Sequence, residues 1–191
     1  YGVDPVRYYL MREMVLGQDA NFTMDSFIKR YNSDLANDFG NLLSRISTLI
    51  NKNYDGYLPK VSSLGDEEKR LKSISIELVK KFDNNMLRMS INEAIEETLQ
   101  FVRNINKYIE HMAPWKLVKE DLKSAGTVLY TGAEALRICA VLLSPIMPQR
   151  IQILLSVLNT ESEDRNWGGL KSGTRLGEHK PLFPRINSDN L

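Results

Sequence analysis

Few residues in this sequence could carry bond chemistry. The only cysteine is Cys139, and the only histidines, His111 and His179, lie far apart along the chain. A histidine pair at metal-ligand spacing is therefore absent, and one cysteine can form neither an internal disulfide nor a cysteine-based structural zinc site. The apolar surroundings of Cys139 favour a small buried side chain over a nucleophile. His111 falls on the polar face of a predicted helix, where we expect it to be solvated.

The common signatures of catalytic domains are missing as well. The sequence contains no P-loop, no Gly-x-Gly-x-x-Gly turn, no Gly-x-Ser-x-Gly elbow and no paired-carboxylate motif. We therefore expect this chain by itself to catalyse no bond chemistry.

The composition is that of an ordinary globular protein. The chain has 191 residues, of which 42% are apolar and 26% charged, enough for one domain or for one domain and part of another. A net charge of +1 excludes a large basic field, so any nucleic-acid binding must depend on a local patch. We find no apolar stretch of about 20 residues, which a membrane span requires. The start is not a signal peptide and has no initiator methionine, so we interpret the chain as part of a longer cytoplasmic protein.

The N-terminal half is predicted to form helices. Asp4 and Pro5 are expected to serve as the N-cap and first residue of one helix, and Thr23 as the cap of the next. The second helix is predicted to run from about residue 24 to 51, with a bend or a close approach at Gly40. Its apolar stripe consists of Phe27, Tyr31, Leu35, Phe39, Leu42, Ile46 and Leu49.

Helices also dominate the C-terminal half. Three acids from Asp66 open one helix, and a capping box over residues 90–93 opens another, which Pro114 should end near Ala113. Thr127–Leu143 is apolar on nearly all sides, as in the middle of a bundle. From about residue 160 the chain becomes polar and glycine-rich, and Trp167 is expected to pack this extended tail onto the bundle. The predicted class is all-α, a helix bundle with an extended C-terminal tail.

Five segments of the sequence resemble the C-terminal half of bacterial methionyl-tRNA synthetases. They occur in the family's order and together span nearly the whole chain. They are Tyr1–Glu13, Asn32–Arg45, Ala113–Lys116, Leu143–Pro148 and Pro181–Ile186.

This resemblance implies an anticodon-binding helix bundle of the class I synthetases. Residues 1–25 would end the stem-contact region that follows the catalytic core, and residues 26–191 would form the bundle with its tail. The parent enzyme would join methionine to tRNA(Met) using ATP and Mg, with a zinc site also in the missing catalytic part. The family's His-Ile-Gly-His-type and Lys-Met-Ser-Lys-Ser motifs are absent here, so this part would be inactive alone. Its partners would be the tRNA(Met) anticodon loop and its own catalytic domain, without a membrane, and the isolated part would be a monomer.

The resemblance assigns Asn41, Arg45 and Trp115 to the CAU anticodon. Asn41 and Arg45 are four residues apart on one helix face, at the margin of the apolar stripe. An amide and a guanidinium suit the edges of unpaired bases, and an indole ring suits stacking on a splayed base. Lys52, Lys116 and Lys119 could contact phosphates, and so could Lys123.

Simpler interpretations of the same residues stay open. A tryptophan at a helix end is often a lid on the core, and Arg45 could merely pair with Asp34 or Asp38. The domain could come from another class I synthetase of the isoleucine, leucine, valine or cysteine group, or be a helical protein-interaction module that binds no RNA. Convergence of Asn41, Arg45 and Trp115 on one exposed patch would separate these alternatives.

The resemblance also suggests a place for the tail. Leu182, Phe183 and Ile186 are apolar, and in the family this segment returns toward the catalytic part. We expect residues 180–186 to pack near Tyr8, Tyr9 and Met11.

Overall fold

A computed structural model shows an all-helical protein, which confirms the predicted class. The structure describes residues 1–15, 17–19, 21–178 and 181–187. Within those ranges, extended segments pair only at an isolated antiparallel bridge between Tyr57 and Arg175. The helices are α1 Val3–Glu13, α2 Met24–Arg30, a π-helix Tyr31–Gly40, α3 Asn41–Asn53, α4 Asp66–Leu87, α5 Ile91–Met112, α6 Pro114–Leu117, α7 Leu122–Leu143 and α8 Pro148–Val157.

The predicted second helix is one continuous helical rod made of α2, the π-helix and α3, but its middle is not α-helical. Thr23 caps it as expected, because its Oγ1 accepts a hydrogen bond from the Ser26 N–H at 3.2 Å. Ten residues in the centre form a π-helix, so the prediction of one unbroken α-helix is wrong there. Four buried residues of the apolar stripe lie along this part of the helix at a spacing of four residues. These residues are Phe27, Tyr31, Leu35 and Phe39.

Gly40 marks a close approach at the end of the π-helix. A Cβ added at Gly40 would lie 3.2 Å from the Leu35 carbonyl oxygen and 3.8 Å from the Phe183 nitrogen. The tight contact is with the carbonyl of the same helix, whereas the distance to the C-terminal tail is an ordinary van der Waals contact.

The core surrounds α7, which packs against α3, α4, α5, α6 and α8. Every residue from Ala125 to Leu143 is buried, as the all-round apolar pattern predicted. By length and composition alone, α7 also passes the test for a membrane span over an 18-residue window. All of that window is buried among other helices, so α7 is the core helix of the bundle.

Two predicted helix starts differ from the structure. α1 begins at Val3, and the buried Asp4 carboxylate does not cap it. Instead, Asp4 Oδ2 accepts a hydrogen bond from the backbone N–H of Arg150 at 2.7 Å and so caps α8. Ser90 does stand at the N-cap of α5, but its side chain makes no capping hydrogen bond, so the predicted capping box does not form.

The described tail residues, 181–187, pack against the rod and α8. The Asn32 side chain donates to the Ile186 carbonyl at 2.8 Å and accepts from the Ile186 N–H at 2.9 Å. Phe183 meets Tyr31 edge to face, with ring centroids 6.1 Å apart, and the Arg150 guanidinium carbon lies 5.7 Å from the centroid of the Phe183 ring. The expected packing near Tyr8, Tyr9 and Met11 stays a prediction, and His179 and Lys180 fall outside the described residues. Trp167 packs against the core, as expected.

Candidate nucleic-acid interface

A left-handed turn between α5 and α6 sets the position of Trp115. Ala113 has φ 44° and ψ 57°, and its N–H donates to the Ile109 carbonyl at 3.1 Å, closing α5. Its own carbonyl accepts the N–H of Lys116 at 2.8 Å, which starts α6. Pro114 is buried at the first position of α6 and fixes the backbone there. The next residue, Trp115, is therefore held at the surface with 36% of its area exposed.

Arg45 and Trp115 meet, although they belong to different parts of the chain. The Arg45 guanidinium carbon lies 5.4 Å from the centroid of the Trp115 ring, within the range of a cation–π contact. Such a contact contributes about 0.5–1 kcal/mol at an exposed site. Trp115 is thus a partly exposed ring with the Arg45 guanidinium over it. The simpler interpretation of Trp115 as a lid on the core is not needed.

Asn41 lies on the same face of α3 as Arg45. It is the first residue of that helix, it is exposed, and its side chain makes no hydrogen bond to another described residue. Four residues of helix place it about 6 Å from Arg45 along the axis. The structure therefore brings Arg45 and Trp115 into contact, with Asn41 one helical turn away.

The acids that could have neutralised Arg45 are already engaged. Arg103 on α5 pairs with Asp38 at 2.8 Å, with Glu96 at 3.1 Å and with Asp34 at 3.4 Å. The suggested pairing of Arg45 with Asp34 or Asp38 is therefore wrong, and Arg45 forms no ion pair within the described residues. Its charge is left available at the surface.

The same pairs clamp the π-helix onto α5. The Asn106 side chain donates to the Asp38 carbonyl at 2.9 Å, one turn beyond Arg103. Burial raises the pKa of the Asp38 carboxyl, and the hydrogen bond and charge of Arg103 act against that rise. Because α3 continues directly from the π-helix, this clamp fixes where Asn41 and Arg45 stand relative to the end of α5.

The predicted phosphate-contacting lysines are all exposed. Lys116 lies beside Trp115 in α6 and Lys119 follows that helix, whereas Lys52 is in the last turn of α3. Seven residues separate Lys52 from Arg45, about 10 Å along the helix axis. Within the described residues none of the three lysines forms an ion pair. The carboxylates of Glu120 and Asp121 follow closely, so positive charge here is local and interrupted.

Sequence reasoning missed the features that arrange these side chains. The left-handed conformation of Ala113 was not predicted, although Pro114 indicated a helix end at that residue. No role for Arg103 was predicted from the sequence. The available signal was a charged residue on the polar face of a helix, with Gln100 three residues before it and Lys107 four residues after it.

Nothing in the described residues suggests a metal or nucleophile site. No group of three or more histidine, cysteine, aspartate and glutamate side chains is placed to hold a metal ion in those ranges. Cys139 is buried, and burial raises the pKa of its thiol, which disfavours the reactive thiolate. His111 is exposed at the end of α5.

Comparison with known protein families identifies the bundle. A model described as the anticodon binding domain of methionyl tRNA ligase matches residues 58–189. The chain belongs to this family. A second model, for class I tRNA synthetases of the methionine type, matches residues 1–47. The candidate site includes residues from both matches, since Arg45 lies within residues 1–47 and Trp115 within residues 58–189.

Curated relatives agree with the family match. A methionine–tRNA ligase from Caldanaerobacter subterraneus subsp. tengcongensis is 41% identical over 194 residues, covering 98% of this chain and 30% of the relative. The ligase from Bacillus subtilis is 38% identical, covering 99% of this chain and 30% of its own length. The chain thus spans about 30% of the curated relatives it matches. These matches favour the methionine enzyme over the alternatives from other class I synthetases.

Solved structures share the fold. The apo form of Mycobacterium tuberculosis methionyl-tRNA synthetase superimposes with a TM-score of 0.91 at 31% identity, covering 97% of this chain and 39% of that one. Its complex with methionyl-adenylate gives a TM-score of 0.90 at 31% identity. The resemblance proposed from sequence, and the anticodon-binding type of helix bundle that it implied, are confirmed.

Proposed function

We propose that this chain reads the CAU anticodon loop of tRNA(Met) on behalf of a parent methionine–tRNA ligase. The observation that carries the proposal is the contact between Arg45 and Trp115 at 5.4 Å, next to the exposed Asn41. A stacking ring, a fork of five donors and an amide stand together at the surface of a bundle whose relatives are tRNA ligases. Single-stranded RNA is read by these means, through base edges and stacking.

Each group has a separate role in this proposal. The Trp115 ring stacks on an unpaired base, which is worth about 1–3 kcal/mol. Arg45 only donates hydrogen bonds, so it favours a base edge with adjacent acceptors, such as O2 and N3 of cytosine. Asn41 can donate and accept on the neighbouring edge. Lys52, Lys116 and Lys119 supply attraction to phosphates without sequence preference.

The remaining parts of the reaction belong to the rest of the parent protein. There a catalytic domain would bind ATP with Mg and would carry a zinc site. It would join methionine to tRNA(Met) in the cytoplasm. We propose that residues 1–25 complete the stem-contact region beside that domain, while residues 26–191 form the anticodon-binding part. This chain would contribute recognition and no catalytic group.

The test is a binding titration with two RNA stem-loops. One carries the CAU loop, and the other carries a loop whose first anticodon base is uracil, where N3 is a donor instead of an acceptor. The proposal expects tighter binding of the CAU loop by about tenfold or more, because a good bidentate base contact is worth about 1–3 kcal/mol. Equal affinity for the two loops would reject anticodon reading and favour a bundle that binds no specific RNA.

A further inference from the structure

The Arg45 guanidinium occupies a ring face that a stacked base would need. Its guanidinium carbon lies 5.4 Å from the Trp115 centroid, and Trp115 follows the buried Pro114 with 36% of its area exposed. We propose that Arg45 is a removable cover on Trp115. In the free protein it shields the ring, and it leaves when a stacking base can accept its hydrogen bonds. This inference rests on the proposed function for its second half, the exchange with RNA.

The contacts around Arg45 make the cover easy to remove. Asp34 and Asp38, the nearest acids on its own rod, are held by Arg103, so no carboxylate anchors the Arg45 guanidinium. A cation–π contact at an exposed site corresponds to about two- to fivefold in an equilibrium constant. Stacking of a base on an aromatic ring corresponds to about 5- to 150-fold. A base therefore outcompetes the guanidinium for the ring.

The exchange would make stacking selective. Stacking on an aromatic ring tolerates any base, because every base has a π-face. Once displaced, the guanidinium stands beside the stacked base, where it can donate hydrogen bonds but accept none. A base that stacks and also presents acceptors satisfies it, whereas a base that only stacks leaves it unpaired. Arg45 would thus reject wrong bases before it reads the right one.

The cover itself can be tested without RNA. Trp115 and Trp167 are the only tryptophans, so Trp167→Phe leaves Trp115 as the single indole. In that background, Arg45→Ala is expected to raise the acrylamide quenching constant of Trp115 fluorescence about twofold. Lys80→Ala, which removes one exposed positive charge from α4, is expected to leave it unchanged. Equal quenching constants with and without the Arg45 side chain would overturn the cover.

The exchange is tested by the two stem-loops. Arg45→Ala is expected to weaken binding of the CAU loop by about tenfold, while affinity for the uracil-substituted loop stays within about twofold or rises, because the ring is then open. Arg45→Lys keeps the charge and most of the stem. The affinity for each loop should change in the same direction as in Arg45→Ala, but by a smaller factor. Thermal unfolding of each variant checks that the fold is retained.

Two outcomes count against different parts of the argument. If Arg45→Ala weakens both loops by the same factor, the guanidinium contributes only charge and the exchange is wrong. If the unsubstituted chain does not distinguish the loops at all, the proposed function fails and the exchange fails with it. In that case the quenching result still decides whether Arg45 covers the ring.

Discussion

Glu134 and Arg137 form an ion pair inside α7 in which neither side chain is exposed to solvent. The Arg137 Nη2 lies 2.7 Å from Glu134 Oε1. Each charge also holds the chain that follows α8. Glu134 accepts the backbone N–H groups of Gly168, Gly169 and Leu170 at 2.7, 2.9 and 3.0 Å, and Arg137 donates to the carbonyls of Asp164 and Asn166. The two charges therefore fasten an irregular segment, which has no helix of its own, to the centre of the bundle.

Breaking this pair should destabilise the fold strongly. Glu134→Gln leaves the Arg137 guanidinium buried without a countercharge, so we expect the free energy of unfolding to fall by about 3–5 kcal/mol. Urea denaturation followed by circular dichroism measures it. The matched control is Glu77→Gln, which breaks a Lys81 pair of 3.0 Å on an exposed helix face and should change stability little. Similar losses in the two variants would show that burial does not increase the contribution of the Glu134 pair to the free energy of unfolding.

Removing the indole of Trp115 should separate tRNA recognition from amino-acid activation. In the parent ligase, Trp115→Ala is expected to lower tRNA affinity by about 5- to 150-fold, the equivalent of one stacking contact of about 1–3 kcal/mol. Charging assays at limiting tRNA measure this loss, and methionine-dependent pyrophosphate exchange without tRNA should be unchanged. Ile153→Ala, at another exposed apolar side chain, is the control and should leave both assays unaltered. A parallel fall in both assays for Trp115→Ala would contradict a role in recognition.

Arg103 should stabilise the packing of the π-helix on α5. Arg103→Met keeps the apolar stem but removes the bonds to Asp34, Asp38 and Glu96, so we expect a loss of about 1–3 kcal/mol in unfolding free energy. In the wild-type chain Arg70 lies 3.9 Å from Glu67 on the exposed side of α4. Arg70→Met should therefore change the unfolding free energy by no more than about 0.5 kcal/mol. Hydrogen exchange should locate the Arg103→Met loss in residues 31–40. Faster exchange spread evenly over the molecule would argue against this local clamp.

Tyr54 should titrate at unusually high pH. Burial, with the nearby Asp121 charge, raises its pKa from 10.0 to about 12, and its hydroxyl donates to the Leu122 carbonyl at 2.6 Å. A raised folded-state pKa means that the neutral form is favoured by folding. The stability it contributes is complete below pH 10 and is lost as the pH rises through about 12. Tyr54→Phe should remove the tyrosinate absorbance step near pH 12 and flatten this alkaline loss. A Tyr54 step near pH 10 would contradict it.

Local patterns in the sequence were sufficient for most of the helices. Thr23 capped its helix, Pro114 followed the end of α5 at Met112, and the all-apolar segment within α7 became the core. These signals succeed because capping, the missing proline N–H and hydrophobic periodicity act within one or two helical turns.

What the sequence by itself determined is the all-α class, the family and most of the helix boundaries. Only the tertiary structure decided that Asp4 caps α8, that the tail lies on Tyr31 and Asn32, and that Arg45 covers Trp115. Each of these contacts joins residues distant along the chain, so its geometry depends on how whole helices pack. A side chain's local neighbours fix its helix and its face, but the partner across an interface is chosen by the shape and charge of the assembled core.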